Sequence, residues 1–243
     1  MKKALKLVGL AAAVSVLMLG GCAASRISTA AQLARESEPF QTNPPNAALR
    51  LLVVGDSTGV GTGASAPRSS LAGLLAQAYP QLAIDNRAQD GATFEGVVQQ
   101  LQRNTQRFDV VLIQAGGNDV IRLRGDDAIQ ADIERAVSLA AERADRVLVM
   151  PAGNVGNAPF FFPPVSLLMS ARAERLHRHV QAAAQKNGSV YINLFKDAAN
   201  DPFANNKSLH AADGLHPSDA GYRIWFDELT RQADLPTLLV RAR

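Results

Sequence analysis

From about residue 49 onward, short apolar runs punctuate the chain and longer stretches of helical period separate them. Leu51–Val54, Leu82–Asp85, Val110–Gln114, Arg146–Met150 and Val190–Leu194 are rich in Val, Ile and Leu. Runs of that length and content are expected of strands buried on both faces. Apolar residues recurring every three or four positions predict helices near 69–79, 93–106, 126–144, 166–186 and 218–231. Strands that alternate with helices imply right-handed crossovers and one parallel sheet covered on both sides. The expectation is a single doubly wound α/β domain over 49–243, without internal repeats.

Upstream the pattern changes. Residues 22–48 are mostly Ala, Ser, Thr, Gln, Glu and Asn with Pro39, Pro44 and Pro45, and no apolar period is sustained, so a flexible tether is predicted there. Residues 1–21 read as a targeting segment: Lys2, Lys3 and Lys6 precede an apolar run from Leu7 to Leu19, which is short for a membrane span. Leu19-Gly20-Gly21-Cys22 resembles a bacterial lipoprotein processing box. The resemblance implies cleavage before Cys22, lipid on its sulfur, and attachment to a membrane of the cell envelope. In a host with two membranes, Ala23 resembles the sorting residue that directs such proteins to the periplasmic face of the outer membrane.

Composition supports a globular chain, with 47% hydrophobic and 19% charged residues, and so argues against extended disorder. Residues 1–21 contribute three lysines and no acidic residue, so removing them takes the formal charge from +3 to 0. With no basic stripe interleaved with aromatics, no nucleic-acid partner is expected. Cys22 is the only cysteine, which excludes a disulfide framework, a thiol nucleophile and a cysteine metal site from the domain.

Four stretches fall after predicted strands or before the last helix: Gly55-Asp56-Ser57, Asn86 to Thr93 with Gly91 inside it, Gly116-Gly117-Asn118-Asp119, and Asp213-Gly214-Leu215-His216. Their chemistry is complementary. A serine hydroxyl attacks a carbonyl at neutral pH only when a base takes its proton, and histidine has the suitable pKa. The histidine needs a carboxylate to fix its tautomer, and Asp213 stands three residues before His216 in one turn. Acyl transfer also needs donors for the developing oxyanion; the N–H of Ser57, the N–H of Gly91 and the amide of Asn118 are candidates.

These four blocks, in this order, resemble the signature blocks of the SGNH (GDSL-type) hydrolases. The resemblance spans the domain from first strand to last helix. It implies a flavodoxin-like three-layer α/β/α sandwich with a parallel five-stranded sheet, and serine-esterase chemistry without a metal or organic cofactor. It carries over Ser57 as nucleophile, Asp213 and His216 as its partners, and Gly91 and Asn118 as oxyanion donors. Thr58 departs from the leucine of the family's name, at a position whose side chain has no catalytic role there.

The same sequence carries features of other site types. Gly59-Val60-Gly61-Thr62-Gly63-Ala64 has dinucleotide-loop spacing, with Asp85 about twenty residues further on. Against that, Gly55 to Thr58 intervene after the strand and Pro67 interrupts the helix start. Those glycines are read instead as room for substrate to approach Ser57. His177 and His179, two apart on a helix, face different sides, and His210 lacks a third spaced metal ligand. Asp56 and Asp119 read as caps and positioning groups. Phe160, Phe161 and Phe162 in a turn-rich loop are either packing for the following helix or an apolar wall for the substrate.

The expected activity is hydrolysis of acyl or aryl carboxylic esters, including lysophospholipid-like ones. A carbohydrate O-deacetylase acting on envelope glycans and a non-catalytic envelope binding lipoprotein are the alternatives. Oligomeric state is not specified by the sequence.

Overall fold

The computed structural model describes residues 24–239. The proposed signal segment 1–21 and Cys22 lie outside the described residues. Five strands form one sheet: β1 (Leu49–Gly55), β2 (Leu82–Asn86), β3 (Phe108–Gln114), β4 (Ala144–Val149) and β5 (Val190–Tyr191). All pairings are parallel and the order is β2-β1-β3-β4-β5, which is the flavodoxin-like arrangement.

The strands are apolar on both faces because each face is covered. On β1, Leu52 and Val54 pack with α4 (Phe94–Arg103), α6 (Asp126–Arg143) and α7 (Val165–Lys186). Leu51 and Val53 face the opposite layer, made by α3 (Leu71–Ala78) and α9 (Asp219–Ala233). Beyond β1 there are also the short helices α2 (Ser57–Val60), α5 (Gly117–Ile121), α8 (Pro202–Asn205) and α10 (Leu235–Leu238), with 3-10 turns at Pro67–Ser69, Val155–Asn157 and Lys207–Leu209. The predicted strands and long helices agree with these to within a few residues, except the last strand. The last strand is shorter than expected, ending at Tyr191; Ile192 N still donates to Val149 O at 2.9 Å, and Gln232 of α9 binds the next residue, accepting from Asn193 N at 2.8 Å and donating to Asn193 O at 3.0 Å.

The flexible tether predicted over 22–48 is corrected. Residues 24–36 form a helix, α1, and the following segment lies along the outer edge of β2. There Thr42 bonds Ile84 in both directions, at 3.1 and 2.8 Å, and Phe40 packs on the core. The physical reason is that β2 is an edge strand whose free N–H and C=O groups need partners. The folded unit therefore includes residues 24–48. No helix of the described residues is long and apolar enough to cross a membrane.

The carboxyl end of β1 is closely packed. A Cβ on Gly55 would stand 1.9 Å from Gln114 O, so no other residue fits. Gln100, buried on the inner face of α4, accepts from Gly55 N at 2.8 Å and donates to Gly55 O at 2.9 Å. Replacing it by leucine of similar size removes both bonds and leaves the Gly55 N–H buried without an acceptor. Gln100→Leu is expected to lower the unfolding free energy in a urea titration by about 2 kcal/mol.

Candidate active site

Gly55 ends β1, and the chain turns at Asp56 into α2. The Asp56 carboxylate caps this turn, accepting from Thr58 N at 2.9 Å and from the Thr58 hydroxyl at 2.8 Å. Ser57 is thereby the first residue of α2, where a backbone N–H has no intrahelical acceptor. Thr58, the departure from the family's leucine, thus holds the carboxylate beside the serine.

The Ser57 hydroxyl lies 2.9 Å from His216 Nε2, and His216 Nδ1 lies 2.5 Å from Asp213 Oδ2. A carboxylate only accepts, so Nδ1 carries the proton and Nε2 is left to accept from Ser57 Oγ–H. Asp213 is fully buried, and its other oxygen accepts from the N–H groups of Leu215 and His216 at 2.9 and 3.1 Å. Burial pushes its pKa up, but the His216 hydrogen bond and charge and the two backbone donors outweigh this, so the net shift is downward. The group at the end of the chain is therefore an ionised carboxylate, as a partner for imidazolium must be.

Gly91 sits at φ +74°, and a Cβ there would stand 2.9 Å from the Arg122 guanidinium. Its loop is tied at two points: to β1, where Gln89 N donates to Gly55 O at 3.0 Å, and to α5, where Asn118 Nδ2 donates to Ala92 O at 3.1 Å. Asp119, fully buried, accepts from Phe94 N at 3.0 Å and so caps α4, whose own N-cap Thr93 makes no side-chain bond. Arg124 anchors Asp119 at 2.9 Å. Ser57, Gly91, Asn118 and His216 all line one cavity of about 420 Å³, a volume suited to a small organic substrate.

The structure does not bring the three phenylalanines to that cavity. Phe161 packs on the core and meets Phe160 edge-on, and Phe160 N donates to Gly214 O at 3.0 Å, which braces the Asp213 turn. Phe162 is exposed beneath the Arg26 guanidinium. The apolar wall is made instead by Val155, Leu194, Phe203, Leu215 and Trp225, with Ala30, Ala31 and Ala34 of α1. The Gly59–Ala64 glycines do not open space for substrate either. A Cβ on Gly59 would stand 2.8 Å from Ala88, one on Gly61 2.4 Å from Ser70, and one on Gly63 2.9 Å from His216. Close packing explains them, the last bringing the β1 loop against the histidine turn.

The remaining histidines have other partners. His177 is buried between Ala152 O at 2.8 Å and the Tyr191 hydroxyl at 2.6 Å. Burial pushes its pKa down to about 4, so it is neutral at physiological pH. His179 reaches Asp126 at 3.3 Å, and His210 meets Phe203 edge-on at the cavity wall. Sequence reasoning missed Gln100, Asn86 and the α1 alanines. Asn86 accepts from Ala88 N and donates to Gly59 O, at 3.1 and 2.8 Å, joining the two loops. A polar residue amid the apolar positions of a helix or strand was the available signal for the first two.

A parallel sheet in this order, with hydroxyl, imidazole and carboxylate bonded in series at its carboxyl edge, defines an α/β protein of the SGNH hydrolase class. The chain belongs to the GDSL-like lipase/acylhydrolase family, whose model matches residues 53–224. A GDSL-like esterase of Mycobacterium tuberculosis is 27% identical over 204 residues, and the match covers 77% of this chain. The chain spans 65% of the length of that relative. Among solved structures, LAE5, an α/β hydrolase enzyme from a Lake Arreo metagenome, superposes with a TM-score of 0.59 at 17% identity, covering 80% of this chain and 98% of LAE5. Axe2, an acetylxylan esterase of Geobacillus stearothermophilus, gives 0.57 at 22% identity, covering 82% and 99%. At these identities the likeness is one of fold.

Burial pushes the Asp56 pKa from 3.8 up to about 6, against the opposing hydrogen bonds from Thr58. With the folded pKa above the unfolded one, the folded state holds the extra proton between these values, so this group's contribution falls as pH rises through about 6. Asp56→Asn removes that dependence. Urea titrations at pH 4, 5, 6 and 7 should show variant stability minus native stability rising with pH by up to about 3 kcal/mol. A difference that is flat or falls with pH contradicts the assignment.

Proposed function

We propose that this protein is a serine esterase of the cell envelope that hydrolyses carboxylic esters by acyl transfer through Ser57. The observation that carries the reading is the series Ser57 Oγ, His216 Nε2, His216 Nδ1, Asp213 Oδ2, bonded at 2.9 and 2.5 Å and opening on one cavity. His216 takes the Ser57 proton as Oγ bonds to the ester carbonyl carbon. The oxyanion is received by the N–H groups of Ser57 and Gly91 and the second amide hydrogen of Asn118, the first being engaged by Ala92 O. Buried, ionised Asp213 stabilises the imidazolium, which then protonates the departing alcohol. A water molecule, deprotonated by the same imidazole, attacks the acyl-serine and releases the acid.

The wall of Leu194, Val155, Phe203 and Trp225 suits an acyl or aryl group, and the cavity is larger than an acetyl group needs. Phe203, Trp225 and Asn154 also line the cavity, and aromatic and amide side chains are residue types that meet sugars, which favours the O-deacetylase as a second reading. A binding-only role leaves the bonded series of three ionisable or nucleophilic groups without a use.

Ser57→Ala should reduce kcat on 4-nitrophenyl acetate by at least about 10³-fold, and Asn118→Ala by about 10²-fold with little change in KM. Native turnover by Ser57→Ala would refute the mechanism. A nitrophenyl series from acetate to palmitate, beside acetylated xylan, separates the two substrate readings.

Attachment by lipid at Cys22 is the second part of the reading, supported by the Leu19–Cys22 box. Mass spectrometry of protein extracted from host membranes should find Cys22 as the acylated N-terminus. Recovery of an uncleaved, unmodified chain refutes it.

A further inference from the structure

Among the described residues, the large apolar side chains that remain exposed are Ile27, Leu123, Phe162, Val165, Leu167 and Leu168. They share one neighbourhood. Phe162 leads into the first turn of α7, which carries Val165, Leu167 and Leu168. Ile27 adjoins Arg26, whose guanidinium stacks over the Phe162 ring at 4.9 Å and donates to Pro159 O. Leu123 precedes Arg124, whose carbonyl accepts from Arg172, one helical turn beyond Leu168. Three segments distant in sequence thus place exposed apolar groups together, and two of them also wall the cavity, through Ala30 and Ala34 of α1 and through Arg122. Isolated exposed leucines are ordinary on a protein surface; a grouped apolar rim at a cavity mouth marks a contact surface.

The chain upstream says what the rim contacts. A flexible linker over residues 22–48 would hold the domain roughly 30 Å from its attachment point, in any orientation. Docked α1 removes that freedom. Cys22 is four residues before Arg26, so it lies within about 14 Å of the Arg26 backbone whatever the conformation between them. A lipid on Cys22 therefore enters its leaflet beside Phe162 and Ile27, and the apolar rim is the surface that leaflet meets. Arg26 and Arg122 at the same rim suit the anionic headgroups of that surface.

We propose that this rim seats the cavity mouth on a lipid bilayer, and that the substrate is a membrane-resident lipid ester entering from the leaflet. The substrate part rests on the esterase reading above, and the anchor on acylated Cys22. The rim side chains sit at interfacial depth, where apolar groups and arginines are both accommodated.

The test uses the full acylated chain reconstituted in vesicles of phosphatidylethanolamine and phosphatidylglycerol. With Cys22 acylated, Leu167→Cys or Gln106→Cys provides a single free thiol for an environment-sensitive fluorophore; Gln106 lies at the opposite end of the sheet. The label at 167 should shift to the blue on vesicles and be quenched by a lipid-borne quencher, while the label at 106 should not respond. Equal responses, or silence at 167 in vesicle-bound protein, overturn the proposal. So does a label at 167 that is already shifted before vesicles are added, which would mean that the protein itself, through its own acyl chains or a second copy, covers the rim. In parallel, Leu167→Asp/Leu168→Asp should hydrolyse a lysophospholipid held in the vesicles at least about tenfold more slowly, with turnover of soluble 4-nitrophenyl acetate unchanged. Native rates on the vesicle substrate overturn the seating. Native protein that cleaves the soluble ester but not the vesicle ester overturns the substrate assignment. Native protein that cleaves neither refutes the esterase reading, and the fluorescence result then judges the seating alone.

Discussion

The end of β1 is a backbone junction that has no slack. Gly55 approaches Gln114 O too closely for any side chain, so the chain can leave β1 along this path beside β3 only through a glycine. Its N–H is bound by Gln100, and its carbonyl accepts from both Gln100 and Gln89. One residue thus fixes α4, the loop that carries Gly91, and the start of the turn that presents Ser57. Each of these groups must stand within a few tenths of an ångström of its place for the proposed acyl transfer to proceed. The sheet supplies that tolerance through a glycine and a buried amide rather than through the reacting side chains.

Two buried carboxylates flank Ser57 in the fold, and their surroundings drive them apart. Asp213 collects an imidazole N–H and two backbone N–H groups, and its pKa moves down despite full burial. Asp56 has only the two donors of Thr58, and burial takes its pKa to about 6. Only the first is suited to steady an imidazolium. Asp56 acts through the backbone, fixing the turn that aims Ser57. Environments that split two neighbouring carboxyls in this way assign their roles.

Much of this was legible in the sequence, and the reason is locality. Strands buried on both faces had to be short, apolar and β-branched, and Asp213 and His216 lie in one turn, so spacing alone could pair them. Ser57 and Asn118 followed because each stands just after a strand's carboxyl end. What stayed hidden depends on contacts between distant segments. The α1 stretch lacks an apolar period because its inner face is alanine, and its docking relies on Arg26 reaching the Phe162 loop. The glycines from Gly59 to Gly63 could be read as open space or as close packing, and only the positions of Ala88, Ser70 and His216 decide for packing. Phe160 to Phe162 had the composition of a wall, but Phe160 braces the histidine turn, Phe161 packs on the core and Phe162 lies exposed beneath Arg26.

The cavity is consequently built of two kinds of material. Its floor, from Ser57 to Asn118 and His216, is knit into the sheet by buried hydrogen bonds and by glycines that cannot accept a methyl group. Its roof at α1 consists of methyl groups facing the cavity, at Ala30, Ala31 and Ala34. Substitutions in the roof change cavity volume without touching the bonded series, so substrate size can vary while the chemistry stays fixed. With the chain held at Cys22 as proposed, two residues before the first residue of α1, the anchor also bears on this roof, and attachment and cavity shape are joined through one helix.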